Sequence, residues 1–478
     1  MVRINFGRVH LVRLALINPA PVIEEDLDIA TRQKSWPPLG LLYNGEILIR
    51  EGHEVKILDQ DVLGYSTDKT LKWIKRRDPE ILGLSPLTIS LPSALEIAKL
   101  AKNWNEYLVI VFGNVIATLS YEHLLKNYEY IDFCLRGETE FTFPKFIKFI
   151  EKGGDLKDIP GLSYRKDGII HANPLPSPIK NLDAIPFPNR EELIDFNYRM
   201  GSHKFTILAT SRGCPFRCKF CAVHVVSNSR GIWRARSIEN VLSELHYLQS
   251  KGYEEFSFVD DCFIVNPKRT VKLCQRMKKE KIDMIWSCEG RVDQGSKEIL
   301  KTMQYANCYN LLLGIESANQ RILDYYDKQI TPEMTKKVIK NVKKAGIENI
   351  AGLFVVGGPD ETIQEIIHTL RFGLELDLTF VQFQLLYVLQ GSEIWADAVQ
   401  KGLINEEKDW NKYIIAADIY PTAVKRKIIE KLIDKAFIEF FSRPKFLLRE
   451  LFRTVKSPYR LQNILSMLGS ISKQKNGA

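Results

Sequence analysis

Short apolar runs alternate with longer amphipathic stretches along most of the chain. In the first third, residues 13–18, 54–59, 81–85, 108–113 and 131–136 read as buried strands. Helices are predicted over 37–52, opened by proline and closed by glycine, near 93–103, after Gly113, and near 143–152. Strands alternating with helices predict an α/β fold: a Rossmann-like, doubly wound parallel sheet. Ligands of such sheets sit at the carboxyl ends of the strands, which points to Asn18, Ser85, Gly113 and Arg136. Residues 161–171 read as a hairpin turning at Asp167-Gly168. Pro174, Pro176, Pro178, Pro186 and Pro188 then make a stiff linker, so a boundary is expected near 175–200.

The alternation then restarts. Strands are predicted at 205–210, 255–259, 284–287, 310–314, 350–356 and 380–387, with helices at 238–251, 267–281, 297–305, 332–345 and 363–376 between them. Six strands linked by five helices predict a partly open (β/α)6 barrel, with chemistry at the C-terminal ends of its strands. Further on, 428–441, 443–455 and 460–468 carry helical apolar stripes with Lys and Arg on other faces. Three domains are expected: 1–185 with its hairpin and linker, 200–400, and a basic helical region 405–478.

Composition adds constraints. Of 478 residues, 45% are hydrophobic and 26% charged, which is ordinary for a globular protein. No segment has eighteen uncharged apolar residues, and the start lacks the pattern of a secretory leader. Three of the eight cysteines are clustered and five scattered, unlike a secreted disulfide framework, so a cytoplasmic location is expected. The net charge is +9, and residues 421–478 alone hold 13 Lys/Arg against 4 Asp/Glu, so the remainder is near neutral. That basic region reads as a helical cap packed on the barrel, as a peripheral membrane contact, or as a nucleic-acid contact; no base-stacking module favours the last.

The chemistry gathers at Ser211-Arg-Gly-Cys-Pro-Phe-Arg-Cys-Lys-Phe-Cys221, which follows the first barrel strand. Cys214, Cys218 and Cys221 form a C-x3-C-x2-C array. Three thiolates can hold three irons of a [4Fe–4S] cluster and leave the fourth open. The bare spacing also fits a zinc knuckle completed by His224. The position of this loop, with motif-like residues ending later strands, resembles the radical S-adenosylmethionine (SAM) superfamily. That resemblance implies Phe220 against the adenine, and Asp260 and Asp261 near the SAM amino group. It implies Ser287 and Arg291 at the end of strand three for ribose hydroxyls and carboxylate. Glu316 would face the pocket, and Gly357 and Gly358 would form a turn open to the adenine. The sixth strand departs, ending Tyr387-Val-Leu-Gln-Gly-Ser392, and no cysteine follows Cys308, which argues against an auxiliary cluster domain.

The first region resembles the cobalamin (B12)-binding domain at the front of many radical SAM enzymes, through Ile17-Asn-Pro19, Pro37-Pro-Leu-Gly40, Gly83-Leu-Ser85, Phe112-Gly113 and Arg136-Gly-Glu-Thr-Glu140. The resemblance implies Gly40 beside the corrin ring and Ser85 and Gly113 along the nucleotide tail, with Arg136 among the cobalamin contacts. The D-x-H-x-x-G motif is absent: Ser35 and Pro37 stand where its Asp and His would be, so no protein His ligand to cobalt is expected. Asn114 stands where relatives often have a second glycine. The whole chain resembles the group with anaerobic magnesium-protoporphyrin ester cyclases and hopanoid- or other lipid-modifying enzymes. This implies reductive SAM cleavage at the cluster to a 5′-deoxyadenosyl radical, then cobalamin-assisted modification of an unactivated carbon. C-methylation of a hydrophobic small molecule or lipid is the leading expectation, and oxidative cyclisation or rearrangement of a tetrapyrrole or lipid the alternative. A flavodoxin or ferredoxin would supply electrons. A metal-stabilised membrane- or nucleic-acid-associated binding protein is the reading from another class.

Overall fold

The computed structural model describes residues 11–22, 36–226, 228–229, 231–456 and 461. Ser35 and the helix expected at 460–468 lie outside these, Leu461 aside. The chain divides into two compact units, Met1–Phe196 with Ala222–Arg230 and Gln390–Tyr413, and Asn197–Cys221 with Gly231–Leu389 and Ile414–Ala478. Phe440 and Phe446 of the terminal helices join the barrel core, whereas Trp410 joins the core of the first unit and stacks on His123 at 5.2 Å.

The first unit holds strands β1 (Arg13–Asn18), β2 (Glu54–Asp59), β3 (Ile81–Leu84), β4 (Val109–Phe112), β5 (Phe133–Leu135), β6 (Leu162–Lys166) and β7 (Ile169–Ala172), in sheet order β2-β1-β3-β4-β5-β6-β7. The first five pair in parallel and the hairpin β6–β7 extends them antiparallel. The strands are mostly buried apolar runs because helices cover both faces. Close packing fixes one glycine outright: a Cβ on Gly83 would lie 2.6 Å from Leu16 Cδ2. Strand order reverses at β1, so a crevice opens outside the carboxyl ends of β1 and β3.

The second unit holds β8 (Arg199–Met200), β9 (His203–Leu208), the short pair β10 (Ser211–Arg212) and β11 (Arg234–Ala235), then β12 (Glu255–Phe258), β13 (Ile285–Arg291), β14 (Cys308–Glu316), β15 (Asn349–Val356) and β16 (Phe380–Leu385). Its main sheet runs β16-β15-β14-β13-β12-β9-β8, six parallel strands with β8 antiparallel at the edge. One face packs on helices through Phe256, Phe258, Phe263 and Trp286. The other face differs from a filled barrel interior: Ser287, Glu289, Leu312, Leu353, Val355, Gln382 and Gln384 all remain partly or fully accessible. The half-barrel is an open bowl lined by both polar and apolar side chains.

Candidate active site

The cysteine loop leaves β9 through β10 and is held by the end of β12. Asp260 is fully buried. It accepts hydrogen bonds from Thr210 N at 3.1 Å, from Thr210 Oγ1 at 2.8 Å and from Ser211 Oγ. Burial pushes its carboxyl up from the ordinary range, against those hydrogen bonds. Asp261 Oδ2 accepts from Gly213 N at 2.7 Å, one residue before Cys214. Arg269 closes the same corner, donating to Thr210 Oγ1 at 3.1 Å and to the carbonyls of Thr210 and Arg236. Asp260 is thus engaged in holding the strand end, and its neighbour anchors the loop itself.

Cys214, Cys218 and Cys221 are half-buried thiols, none of them in a disulfide. As thiols, Cys214 and Cys218 are pushed up by burial, and metal coordination is what removes such protons. Beside them lies concentrated cationic charge. Arg291 Nη1 reaches Cys218 Sγ at 3.7 Å, and its guanidinium covers the Phe216 ring at 3.7 Å. Asp293 holds that guanidinium at 3.0 and 3.2 Å, and Lys328 O accepts from it. Lys328 is itself buried and pairs with Glu316 at 2.6 Å. Burial alone would depress this ammonium, but Glu316 and Cys218 outweigh it and hold the pKa above the usual value. A thiolate-bound, net-negative cluster fits such a setting. Among the described residues, no three His, Cys, Asp or Glu groups converge on one metal ion. In a [4Fe–4S] cluster each cysteine takes a different iron, so the thiols need no common point.

Some expected residues gather here and others do not. Phe220 packs edge-on against Tyr326 with centroids 5.3 Å apart, and Lys219 N donates to Tyr326 O at 3.0 Å. The Tyr326 hydroxyl reaches the Gly357-Gly358 turn: a Cβ on Gly358 would lie 2.5 Å from Tyr326 Oη. Gly357 has φ +81°, and a Cβ there would meet Ile429 at 2.8 Å. Both glycines are thus required by the protein's own packing. Glu361 Oε2 accepts from both of their N–H groups, at 2.7 and 3.0 Å. Its other oxygen and Tyr326 Oη are buried without partners among the described residues. Burial pushes the Glu361 carboxyl up to about 7, even against the two backbone donors.

Ser287 is not at a strand end. The strand expected to stop there continues to Arg291, paired with β14 as far as Gly314, so Ser287 sits mid-barrel and donates to Ser257 Oγ at 2.8 Å. The inward residue nearer the cysteine loop is Glu289, which sequence reasoning passed over. Burial first, then the Glu316 charge, pushes its carboxyl up, although it remains reachable through the open bowl. Strict alternation with Ser287 and Arg291 was the signal that could have found it. Lys328 was also missed. It lies twelve residues beyond Glu316, where the strand is irregular at Gly314/Glu316 and Glu316 takes φ +62°.

In the first unit, Gly40, Ser85 and Gly113 sit around the crevice. Ser85 N donates to Ile17 O at 3.0 Å and Gly113 N to Leu84 O at 2.9 Å. Asn44 Nδ2 ties Gly40 O at 2.8 Å to Thr139 Oγ1 at 3.0 Å, linking two of the motif loops. A Cβ on Gly40 would meet nothing within 4 Å, and one on Gly113 only Leu84 O at 4.0 Å. Unlike Gly357 and Gly358, these glycines leave room that no described residue fills, which fits close approach of a large planar group. Val22, Trp36, Leu87 and Ile89, on the loops after β1 and β3, are exposed apolar residues. Asn114 adopts φ +67° and turns its amide to Ser85 Oγ at 3.2 Å. Arg136 does not join the set. It is buried, its guanidinium donates to Asn173 O and lies 4.3 Å over Tyr121, so it pins the hairpin to the sheet.

Residues 208–373 match the radical SAM superfamily and residues 26–147 the B12 binding domain. An uncharacterized methyltransferase of Pyrococcus horikoshii is 35% identical over 418 residues, covering 87% of this chain and 90% of its own. The anaerobic magnesium-protoporphyrin IX monomethyl ester cyclase of Rubrivivax gelatinosus is 26% identical over 86% of this chain and 75% of its own. Among solved structures, the cobalamin-dependent SAM radical enzyme OxsB, with aqua-cobalamin and SAM bound, superposes with a TM-score of 0.72 at 19% identity, covering 95% of this chain and 72% of its own. The radical SAM methyltransferase TsrM of Kitasatospora setae, with a SAM analogue bound, gives 0.68 at 18% identity over 81% and 76%. The chain belongs to the radical SAM superfamily, in the branch that carries a B12-binding domain, and is an enzyme of [4Fe–4S] cluster, SAM and cobalamin.

Proposed function

We propose that this enzyme methylates an unactivated carbon of a hydrophobic small molecule or lipid, with a flavodoxin or ferredoxin as electron donor. The observation that carries the reading is the pair of open glycines, Gly40 and Gly113, at the crevice of a domain fused to a cysteine-loop barrel. When bound, the cluster and SAM supply a carbon-centred radical, and cobalamin supplies methyl-transfer chemistry. The chain's residues do the rest. Cys214, Cys218 and Cys221 hold the cluster, while Arg291 and Lys328 offset its charge. Asp261 fixes the loop through Gly213, and Asp260 fixes the strand from which the loop springs. Glu289 offers the bowl a carboxylate for the ammonium or ribose hydroxyls of SAM. Glu361 sets the Gly357-Gly358 turn, and Tyr326 braces that turn against Phe220. Leu312, Leu353 and Val355 give the bowl an apolar wall for the substrate.

The second reading is an oxidative cyclase or rearranging enzyme, favoured by likeness to the Rubrivivax gelatinosus cyclase over 86% of the chain. Anaerobic incubation of reconstituted protein with a low-potential reductant, hydroxocobalamin, SAM carrying a deuterated methyl group as the sole methyl source, and lipid or tetrapyrrole extracts separates the two. Label in a product alongside 5′-deoxyadenosine supports methylation. 5′-Deoxyadenosine with an altered but unlabelled product assigns the chain to the cyclase class.

A further inference from the structure

The helix Pro444–Lys456 is oriented against the usual rule. An amphipathic helix on a globular protein normally turns its apolar stripe inward. Here the inward side is held mainly by charge. Among its described side chains only Phe446 is buried, against Phe440 and Phe441 at 5.2 and 5.5 Å. Arg449 pairs with the Asp377 carboxylate and donates to Leu378 O at 2.9 Å, and Glu450 receives Arg449 and Arg453 at 3.2 and 3.1 Å. Leu447, Leu448, Leu451, Phe452 and Val455 point the other way, at 53, 68, 63, 61 and 72% exposure. At 3.6 residues per turn these five fill one continuous arc of about 140°. Ile438, on the preceding helix Arg426–Ser442, is 67% exposed as well.

We propose that this face is a docking surface for an anionic lipid bilayer, with the helix lying in the plane of the interface. Charge complementarity selects this occupant. From Thr454 to Ala478 the chain carries four Lys/Arg (Lys456, Arg460, Lys473 and Lys475) and no Asp or Glu. An apolar stripe followed by purely cationic sequence is the composition that combines insertion among acyl chains with attraction to acidic headgroups. A nucleic acid would find no use for five exposed aliphatic and aromatic side chains. Among the described residues no helix is long and apolar enough to cross a membrane, so the contact is with the surface. The inference is independent of the reaction proposed above.

Flotation of the reconstituted full chain with vesicles tests it. Protein is expected to float with phosphatidylcholine vesicles containing phosphatidylglycerol, and about ten-fold less with phosphatidylcholine alone or at high salt. Leu448→Glu/Leu451→Glu is expected to lower partition on the order of 100-fold. The same variant should leave 5′-deoxyadenosine formation and thermal stability unchanged, because both side chains point away from the barrel. Failure of the wild type to float overturns the proposal, as does equal flotation of the variant. A concentration-dependent dimer, abolished by the same substitutions in vesicle-free protein that does not float, assigns the face to a second copy instead. Protection of 447–455 from proteolysis that disappears on truncation after Leu461, again without flotation, assigns it to the chain's own tail.

Discussion

Glu361 gives the most quantitative test of the barrel site. Its carboxyl accepts two backbone N–H groups from the Gly357-Gly358 turn, yet its second oxygen is a buried orphan next to a turn that also buries the orphan Tyr326 hydroxyl. Burial lifts its pKa from 4.5 to about 7. A raised pKa means that the folded protein holds a proton that the unfolded chain has lost. The associated stability is fully present below pH 4.5 and disappears as pH rises through about 7. The displacement corresponds to about 3 kcal/mol at about 1.4 kcal/mol per pH unit. Glu361→Gln keeps the acceptor for both glycine N–H groups, is neutral at every pH, and places an N–H₂ donor where the orphan oxygen stood. The difference in stability between variant and wild type should therefore grow by about 2.5 kcal/mol from pH 5 to pH 8, the variant gaining. For a unit of this size that is about 5–10 °C in the barrel's melting transition. Anaerobic calorimetry of both proteins at pH 5, 6, 7 and 8 measures it. A melting difference constant within about 1 °C across the series would refute the assignment of a neutral, buried Glu361.

Other outcomes follow from the same contacts. Iron analysis of the reconstituted chain should find about four irons, and Cys218→Ala should lose most of them together with SAM cleavage. Lys328→Met leaves Glu316 charged and buried, and should cost about 3–5 kcal/mol by thermal melting; adding Glu316→Gln should return a large part of that loss. Gly40→Ala should stabilise corrinoid-free protein by up to about 1 kcal/mol, since the position is helical and open, while lowering the corrinoid retained on purification, read by visible absorbance. Trp410→Ala should destabilise the first unit by about 3–5 kcal/mol and leave the barrel's transition in place, because the indole is buried in that unit's core.

Strong periodicity made most elements legible. The helices Phe143–Lys152, Lys297–Tyr305 and Pro332–Ala345 coincide with their predicted spans, and every barrel strand falls within a few residues of expectation. The helix Thr67–Arg77, between β2 and β3, was not foreseen. It buries only Thr70, Trp73 and Ile74 and is otherwise polar, so its apolar signal is faint, although Ser66 caps it as such a residue should. Which core a late segment enters is illegible for a different reason. Nothing local at Trp410 or Phe446 says which core each will enter, because that depends on where the chain returns in space. The same limit hid Lys328, whose partner Glu316 lies twelve residues before it, and misplaced Ser287, whose strand is prolonged by pairing with its neighbour.

The glycines show how one residue type carries two physical messages. At Gly357 and Gly358 a side chain is forbidden by Ile429 and Tyr326, so their smallness serves the fold. At Gly40 and Gly113 nothing among the described residues forbids a side chain, which leaves their smallness for a ligand to use. Sequence treats the four alike, and each was read as a place where backbone approaches a cofactor. The distinction predicts opposite behaviour. Alanine at Gly358 must displace the Tyr326 hydroxyl and should lower the melting temperature of cofactor-free protein. Alanine at Gly113 should leave that melting temperature within about 1 °C and lower only the corrinoid retained. If Gly113→Ala instead unfolds the first unit while retaining stoichiometric corrinoid in the folded fraction, the open space at that crevice serves the chain itself, and the cobalamin site must be sought on another loop.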